Sequence, residues 1–134
     1  MDFDFAKVLL VDDDPASRLT LKTVLELSGY GVDCAASAAE AVGKLDECEY
    51  ELVLSYLQVE SPQAGLKVLA HARMMDYKPA TAIVTAERNS ELGSAARVLI
   101  KPEDVPDLLG KIADLISMRA TRRVNREMKL AGIA

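Results

Sequence analysis

The sequence predicts a three-layer α/β domain in which a doubly wound parallel sheet of five strands lies between two layers of helices. Short apolar runs alternate with helical patterns along the 134 residues, and repeated strand–helix units give parallel strands through right-handed crossovers. The run Leu52–Leu57 is apolar almost throughout, as is typical of a strand covered on both faces. Half of the residues are apolar and 28% are charged, so the chain has the composition of an ordinary globular domain that folds without disulfides.

Local signals place each element along the chain. Asp14 is a predicted N-cap followed by Pro15 at the first helical position, and Ser37 with Glu40 forms a capping box. The predicted strands are Ala6–Val11, Gly31–Ala36, Leu52–Leu57, Ala80–Thr85 and Val98–Ile100. Five helices are predicted: Pro15–Ser28, Ser37–Cys48, Leu66–Met75, a shortened fourth helix within Asn89–Ala95, and a last helix that begins near Asp104. In the first of them, Leu19, Val24, Leu25 and Leu27 form the predicted apolar stripe.

Charge is distributed unevenly along the sequence. Residues 1–116 hold 11 Lys+Arg and 20 Asp+Glu, whereas residues 117–134 hold five basic residues and one acidic residue. We therefore divide the chain into a domain over 1–117 and a basic helical extension over 118–134. An acidic body is a poor match for nucleic acid. Because no apolar run is long enough to cross a membrane and the amino terminus carries no signal pattern, we expect a cytoplasmic protein.

The number and spacing of the cysteines and histidines, and the absence of catalytic motifs, argue against several classes of site. Cys34 and Cys48 have no metal-ligand spacing, so we expect two reduced thiols. The single histidine, His71, excludes a histidine-rich metal site and is interpreted as a half-buried surface residue. There is no nucleotide-binding or zinc-protease motif and no visible nucleophile–base pair, so we do not expect an enzyme.

Polar residues stand at the ends of the predicted strands. Asp12, Asp13 and Asp14 follow the first strand, Thr85 ends the fourth, and Lys101 follows the fifth. Ligands of parallel sheets bind beyond the carboxyl ends of the strands. Aspartates suit a hard cation such as Mg²⁺, and a lysine suits a phosphoryl group. Taken singly, each residue also has an ordinary explanation as a helix cap, a strand end or a solvated surface charge.

In this order, the strand-end residues resemble the receiver domain of two-component response regulators over residues 6–117. The matching stretches are VLLVDDDPASR, GYGVDCAASAAEAVGKL, YELVLSYLQV, IVTAE and VLIKPED. The resemblance implies a flavodoxin-like strand order and transfer of a phosphoryl group from a histidine kinase to an aspartate ending the third strand. It also implies that Asp12 and Asp13 form the acidic pair that holds Mg²⁺, that Thr85 is the switch hydroxyl and that Lys101 is the phosphate-pairing lysine.

Tyr56 stands where the resemblance places the phosphoacceptor aspartate. Residues 52–59 contain no carboxylate, and a phenol with a pKa near 10 is neutral at pH 7. We therefore expect a degenerate pseudo-receiver whose pocket is filled by Tyr56, with its hydroxyl bonded to Asp13 or Lys101.

The metal site implied by the resemblance is also incomplete. Asp12, Asp13 and the backbone carbonyl of Gln58 remain as its oxygen ligands. Because one carboxylate is missing, we expect at most weak Mg²⁺ binding and no other cofactor.

The elements that relay the family's signal differ as well. Val98 stands where the family usually has an aromatic residue, and little chain is left for the helix within Asn89–Ala95. The segment ESPQAGLK, with Pro62 and Gly65, is predicted as a loop. These departures favour a protein that signals by contact with a protein partner.

The basic extension continues the pattern of the last helix. A narrow apolar stripe steps by four residues through Ile112, Ile116, Ala120, Val124 and Met128. Its first two members fit the core, and the last three predict a homodimer through this helix. Two alternatives stay open: a receiver regulated by a ligand or by modification at Tyr56, and a DNA-binding regulator that uses the basic tail. No membrane partner is expected.

Overall fold

The computed structural model describes residues 6–56, 62–84, 99–100 and 105–132. Its sheet has the order β2-β1-β3-β4-β5, and every neighbouring pair is parallel. The strands are β1 (Lys7–Val11), β2 (Gly31–Ala35), β3 (Leu52–Tyr56), β4 (Ala80–Val84) and β5 (Leu99–Ile100). The four longer strands lie within the predicted runs. The short fifth strand predicted over Val98–Ile100 is described only at Leu99 and Ile100, which pair with Ile83 and Val84, so the five-strand prediction is not confirmed in full.

Four helices connect and cover these strands: α1 (Pro15–Leu27), α2 (Ala38–Glu47), α3 (Pro62–Arg73) and α4 (Val105–Leu130). Both predicted N-caps are confirmed. The side chain of Asp14 accepts a hydrogen bond from the Ser17 amide, and that of Ser37 accepts one from the Glu40 amide, each at 3.1 Å. The predicted shortened helix within Asn89–Ala95 lies outside the described residues.

Helix α3 begins four residues earlier than predicted. The sequence predicts that Pro62 and Gly65 lie in a loop before a helix at Leu66, but Pro62 is the first residue of α3. Proline is tolerated there because a helix's first amides have no intrahelical acceptor. Gly65 is the fourth residue of α3 and is buried.

Alternate residues of the central strands supply two separate cores. On one face, Val8 and Leu10 pack with residues of α1 and α4; on the other, Leu9 and Val11 pack with residues of α2 and α3. All four of these strand residues are fully buried. Two covered faces explain the nearly continuous apolar strands, and the helix–sheet–helix layering is as predicted.

The buried stripe of α1 differs from the prediction. Leu21 and Leu25 face the core, whereas Leu19 is 64% and Leu27 is 84% exposed. Two residues along a helix correspond to a rotation of about 200°, so Leu19 and Leu27 point away when Leu21 and Leu25 point inward. The apolar pattern therefore predicts the helix correctly, but the prediction that Leu19 and Leu27 belong to its buried face is wrong.

Helix α4 crosses the predicted domain boundary at 117/118 without interruption and reaches Leu130. As the predicted stripe requires, Ile112 is buried and Ile116 packs partly against the core, whereas Val124 is 52% and Met128 is 37% exposed. The distal part of α4 is therefore a continuation of a core helix. None of the helices in the described part of the chain is both long enough and apolar enough to cross a membrane.

Candidate functional site

The carboxyl edge of the sheet brings the first predicted site residues together where β1 passes into α1. Asp12 directly follows β1 and is only 2% exposed. Its amide donates to the Ala35 carbonyl, and its Oδ1 accepts from the Asp14 amide, both at 3.0 Å. The carboxylate of Asp12 therefore shapes the turn into α1.

Arg18 contributes a contact that the sequence did not suggest. Its Nη1 donates to the Asp12 carbonyl oxygen at 2.8 Å, one helical turn beyond the cap. The motif VLLVDDDPASR contained Arg18, but nothing in its spacing showed that the side chain turns back to the strand end. This bond places a positive charge beside the acidic turn.

Asp13 and Asp14 are exposed, in contrast to Asp12. Asp14 serves as the N-cap of α1. The Oδ2 atom of Asp12 is buried and has no hydrogen-bond partner among the residues described. A buried carboxylate oxygen of this kind is costly unless something satisfies it, so Asp12 is the member of the acidic pair most suited to a ligand.

Tyr56 is the last residue of β3, paired with Val84 of β4. Its ring is half-buried and packs against the core clusters on both faces of the sheet. The hydroxyl accepts a hydrogen bond from Ser17 Oγ at 3.1 Å. The predicted partners were Asp13 and Lys101. This hydrogen bond comes from α1, whose first turn lies over the end of β3. Lys101 lies outside the described residues, so the predicted contacts with Asp13 or Lys101 stay predictions.

The environment of Tyr56 keeps its phenol neutral. Burial raises the pKa of Tyr56. The Ser17 hydrogen bond works in the opposite direction, and the negative charges of Asp12 and Asp14 raise the pKa further. A neutral phenol is a poor nucleophile.

Three predicted site residues lie outside the described residues: Gln58, Thr85 and Lys101. Val98 lies outside them as well. Their predicted roles in metal binding, in switching and in phosphate pairing stay predictions from the resemblance.

The magnesium site that the resemblance implies involves Asp12 and Asp13, which the structure describes, and Gln58, which lies outside the described residues. Within the described ranges there is no group of three or more histidine, cysteine, aspartate or glutamate side chains placed to hold a metal ion. The buried Oδ2 atom of Asp12, which has no hydrogen-bond partner among the described residues, is of the type that a hard cation binds.

The thiols and the histidine lie apart from this site. Cys34 and Cys48 are free, as predicted. His71 Nε2 lies 2.8 Å from Asp46 Oδ1 on the surface between α2 and α3. This surface pairing agrees with the interpretation of His71 as a half-buried surface residue.

Alkaline titration should reveal the buried tyrosines. The pKa of each of the four is raised, mainly by burial, with Tyr77 at about 12. The unfolded chain therefore ionises first, so stability should be fully retained below pH about 10 and fall above it. Ser17→Ala should raise the pKa of Tyr56 further, because the lost hydrogen bond favours the phenolate.

Tyrosinate absorbance against pH, with Tyr56→Phe used to isolate the signal of Tyr56, measures both effects. Ser117→Ala, an exposed serine on α4, is the matched control and should leave the curve unchanged. An identical Tyr56 titration in wild type and Ser17→Ala would contradict the Ser17 contact.

The fold and the acidic turn together define a flavodoxin-like α/β domain with a binding edge at the carboxyl ends of its strands. A family model of the response regulator receiver domain matches residues 8–113. The chain therefore belongs to the response regulator receiver domain family, which serves two-component signalling.

Curated relatives agree with this family. The chain is 33% identical to the transcriptional regulatory protein AruR of Pseudomonas aeruginosa, over 96% of this chain and 54% of AruR. It is 30% identical to the transcriptional regulatory protein TrcR of Mycobacterium tuberculosis, over 82% of this chain and 45% of TrcR. The chain thus spans about half the length of these two relatives.

Solved structures agree as well. A CheY-like response regulator receiver domain protein from Methanospirillum hungatei superimposes with a TM-score of 0.76 at 28% identity, over 87% of this chain and 97% of that one. The response regulator TrrA from Thermotoga maritima, solved in complex with Mg²⁺ and BeF, gives a TM-score of 0.71 at 28% identity, over 81% of this chain and 97% of TrrA.

Proposed function

We propose that this chain is a pseudo-receiver: a signalling domain that acts through contacts with protein partners and takes no phosphoryl group at position 56. The observation that carries the proposal is the placement of Tyr56 at the carboxyl end of β3, where the family resemblance puts the phosphoacceptor aspartate. The half-buried ring packs against both cores, so this position is occupied by a structural side chain.

No neighbouring carboxylate on β3 replaces the missing acceptor. Glu51 lies just before the strand, at its opposite end, where its Oε2 accepts a hydrogen bond from the Lys7 amide at 2.6 Å. Phosphoryl transfer to a receiver needs an ionised carboxylate as nucleophile, and the raised pKa of Tyr56 leaves a neutral phenol instead. These contacts support a domain that is not an enzyme and holds Mg²⁺ weakly if at all.

Chemical phosphorylation tests the proposal. We expect that acetyl phosphate with Mg²⁺ forms no acyl phosphate on the wild-type chain. Tyr56→Asp supplies the missing carboxylate beside Asp12 and Asp13, so this variant should gain a label that the wild type lacks. Tyr56→Phe, which removes only the hydroxyl, is the matched control and should behave as the wild type.

Two other functions receive less support. Modification of Tyr56 by an enzyme requires the ring to leave both cores. Binding of DNA by the basic extension is weakened because Arg119, one of its basic residues, is used within the protein. Arg119 is buried and donates to backbone carbonyls of Tyr77 and Lys78.

The surface that we assign to a homodimer is the distal stripe of α4. Val124 and Met128 are exposed there beyond the edge of the core. Exposed apolar groups on a projecting helix favour self-association. The same face of two copies can pack together in a dimer with twofold symmetry. We also propose that the protein is cytoplasmic.

A further inference from the structure

A groove lies at the amino edge of the sheet, opposite the edge that holds Tyr56. It has a volume of about 530 Å³ and runs between the start of β4 and the distal half of α4. We call it the β4–α4 groove. Its described lining combines basic side chains with an apolar floor: Arg73, Lys78, Arg122 and Arg126 with Pro79, Ala80, Thr81, Leu115 and Met118.

The charged lining of the β4–α4 groove is of one sign. Its four charged residues in the described lining are all basic, although the body of the chain is strongly acidic. Arg122 and Arg126 are exposed and stand one turn apart on α4. Within the described ranges, neither has a salt bridge or a side-chain hydrogen bond, so both guanidinium groups are available to an anionic ligand.

The same two arginines line a neighbouring cleft of about 280 Å³, together with Lys78, Arg119 and Arg123. This cleft also contains the carboxylates of Glu49 and Asp76. Positive charge in the neighbouring cleft is therefore partly offset, and the β4–α4 groove is the more favourable of the two for carboxylates.

The floor of the β4–α4 groove is apolar. Pro79 and Ala80 are buried, Leu115 packs partly against the core, and Met118 is 56% exposed. An exposed methionine beside the exposed side chains of Arg122 and Arg126 suits a ligand that carries both apolar and acidic groups. Nucleic acid fits less well, because the described lining has no aromatic side chain on which a base would stack.

We propose that the β4–α4 groove binds an acidic amphipathic peptide segment of a partner protein. Its carboxylates would pair with Arg122 and Arg126, and its apolar side chains would cover Met118. This proposal deepens the protein-contact function by naming the partner's chemistry. The groove lies at the edge opposite Tyr56, so its test is independent of phosphorylation at that residue.

The groove and the proposed dimer stripe use different sides of α4. At 100° per residue, Arg122 lies about 160° around the helix from Val124. A second copy seated on Val124 and Met128 would therefore leave the groove accessible. This geometry favours a partner peptide over a second copy as the occupant of the groove.

Fluorescence anisotropy with a labelled peptide of sequence EELLEELLEELL tests the proposal on the full chain. We expect binding that weakens with salt. Arg122→Glu combined with Arg126→Glu should weaken binding by at least about tenfold, and the corresponding double glutamine variant should weaken it less. The peptides QQLLQQLLQQLL and EEAAEEAAEEAA should both bind more weakly than the probe, because each lacks one of the two features.

Lys22→Glu combined with Lys67→Glu makes the same change in charge on α1 and α3 and should leave binding intact. Tyr56→Asp should also bind the peptide normally. A negative peptide-binding result is therefore distinguishable from a failure of the pseudo-receiver proposal, which is tested by phosphorylation. Four results would overturn the groove proposal: no binding of the probe, equal binding by the arginine variants, tighter arginine-dependent binding of a DNA duplex, or self-association that the arginine variants abolish in sedimentation.

Discussion

Leu25→Ala is expected to lower the free energy of unfolding by about 3 kcal/mol, within the range for deleting a buried leucine side chain. Leu25 has no exposed surface and packs in the core cluster that joins α1 and α4 to the sheet. Removing three carbon atoms there leaves a cavity that the neighbouring strands cannot close. Urea denaturation followed by circular dichroism measures the loss as a lower midpoint.

The matched control is the same substitution at Leu19, on the same helix. Leu19 is 64% exposed, so Leu19→Ala should change the free energy of unfolding by no more than about 0.5 kcal/mol. Similar losses at both positions would show that α1 is oriented differently on the sheet.

Arg119→Met is expected to cost about 2 to 3 kcal/mol, because two hydrogen bonds from a charged donor are lost. The Arg119 side chain is 8% exposed. Its Nε donates to the Lys78 carbonyl at 3.0 Å and its Nη2 to the Tyr77 carbonyl at 2.7 Å. Methionine keeps much of the side-chain packing but leaves both carbonyl groups without this donor.

Arg119→Lys should recover only part of that stability, since a lysine cannot reproduce the two-pronged geometry of a guanidinium group. Arg122→Met, at an exposed arginine on the next turn, is the control and should be nearly neutral. Urea melts at pH 7 compare the three variants. An Arg119→Met midpoint equal to that of the wild type would mean that the two hydrogen bonds do not hold α4 to the turn before β4.

Local signals in the sequence were sufficient for much of the fold. Asp14 and Ser37 cap their helices as predicted because a cap depends on residues within one turn of it. Strand β3 was predicted because burial on both faces leaves an apolar run that composition reveals. The family resemblance then supplied the strand order, which no local pattern contains.

Contacts between distant segments were not predictable in the same way. The partner of Tyr56 is Ser17, 39 residues away in sequence, and only the packing of α1 over the strand ends brings them together. Arg119 was counted among the charges of a basic tail, but it is buried against a turn 41 residues earlier. A count of charges does not reveal which arginine side chains are buried or hydrogen-bonded within the protein. The structure is needed to identify the arginines that remain exposed to a partner.

The central claim is that position 56 takes no phosphoryl group, and the intact mass of the wild-type chain after incubation with acetyl phosphate and Mg²⁺ tests it most directly. Tyr56→Asp, treated in parallel, shows whether the surrounding pocket is competent. We predict an unchanged mass for the wild type and a hydroxylamine-sensitive phosphoryl group on Tyr56→Asp. A phosphoryl group on the wild-type chain that maps to the end of β3 would contradict the claim.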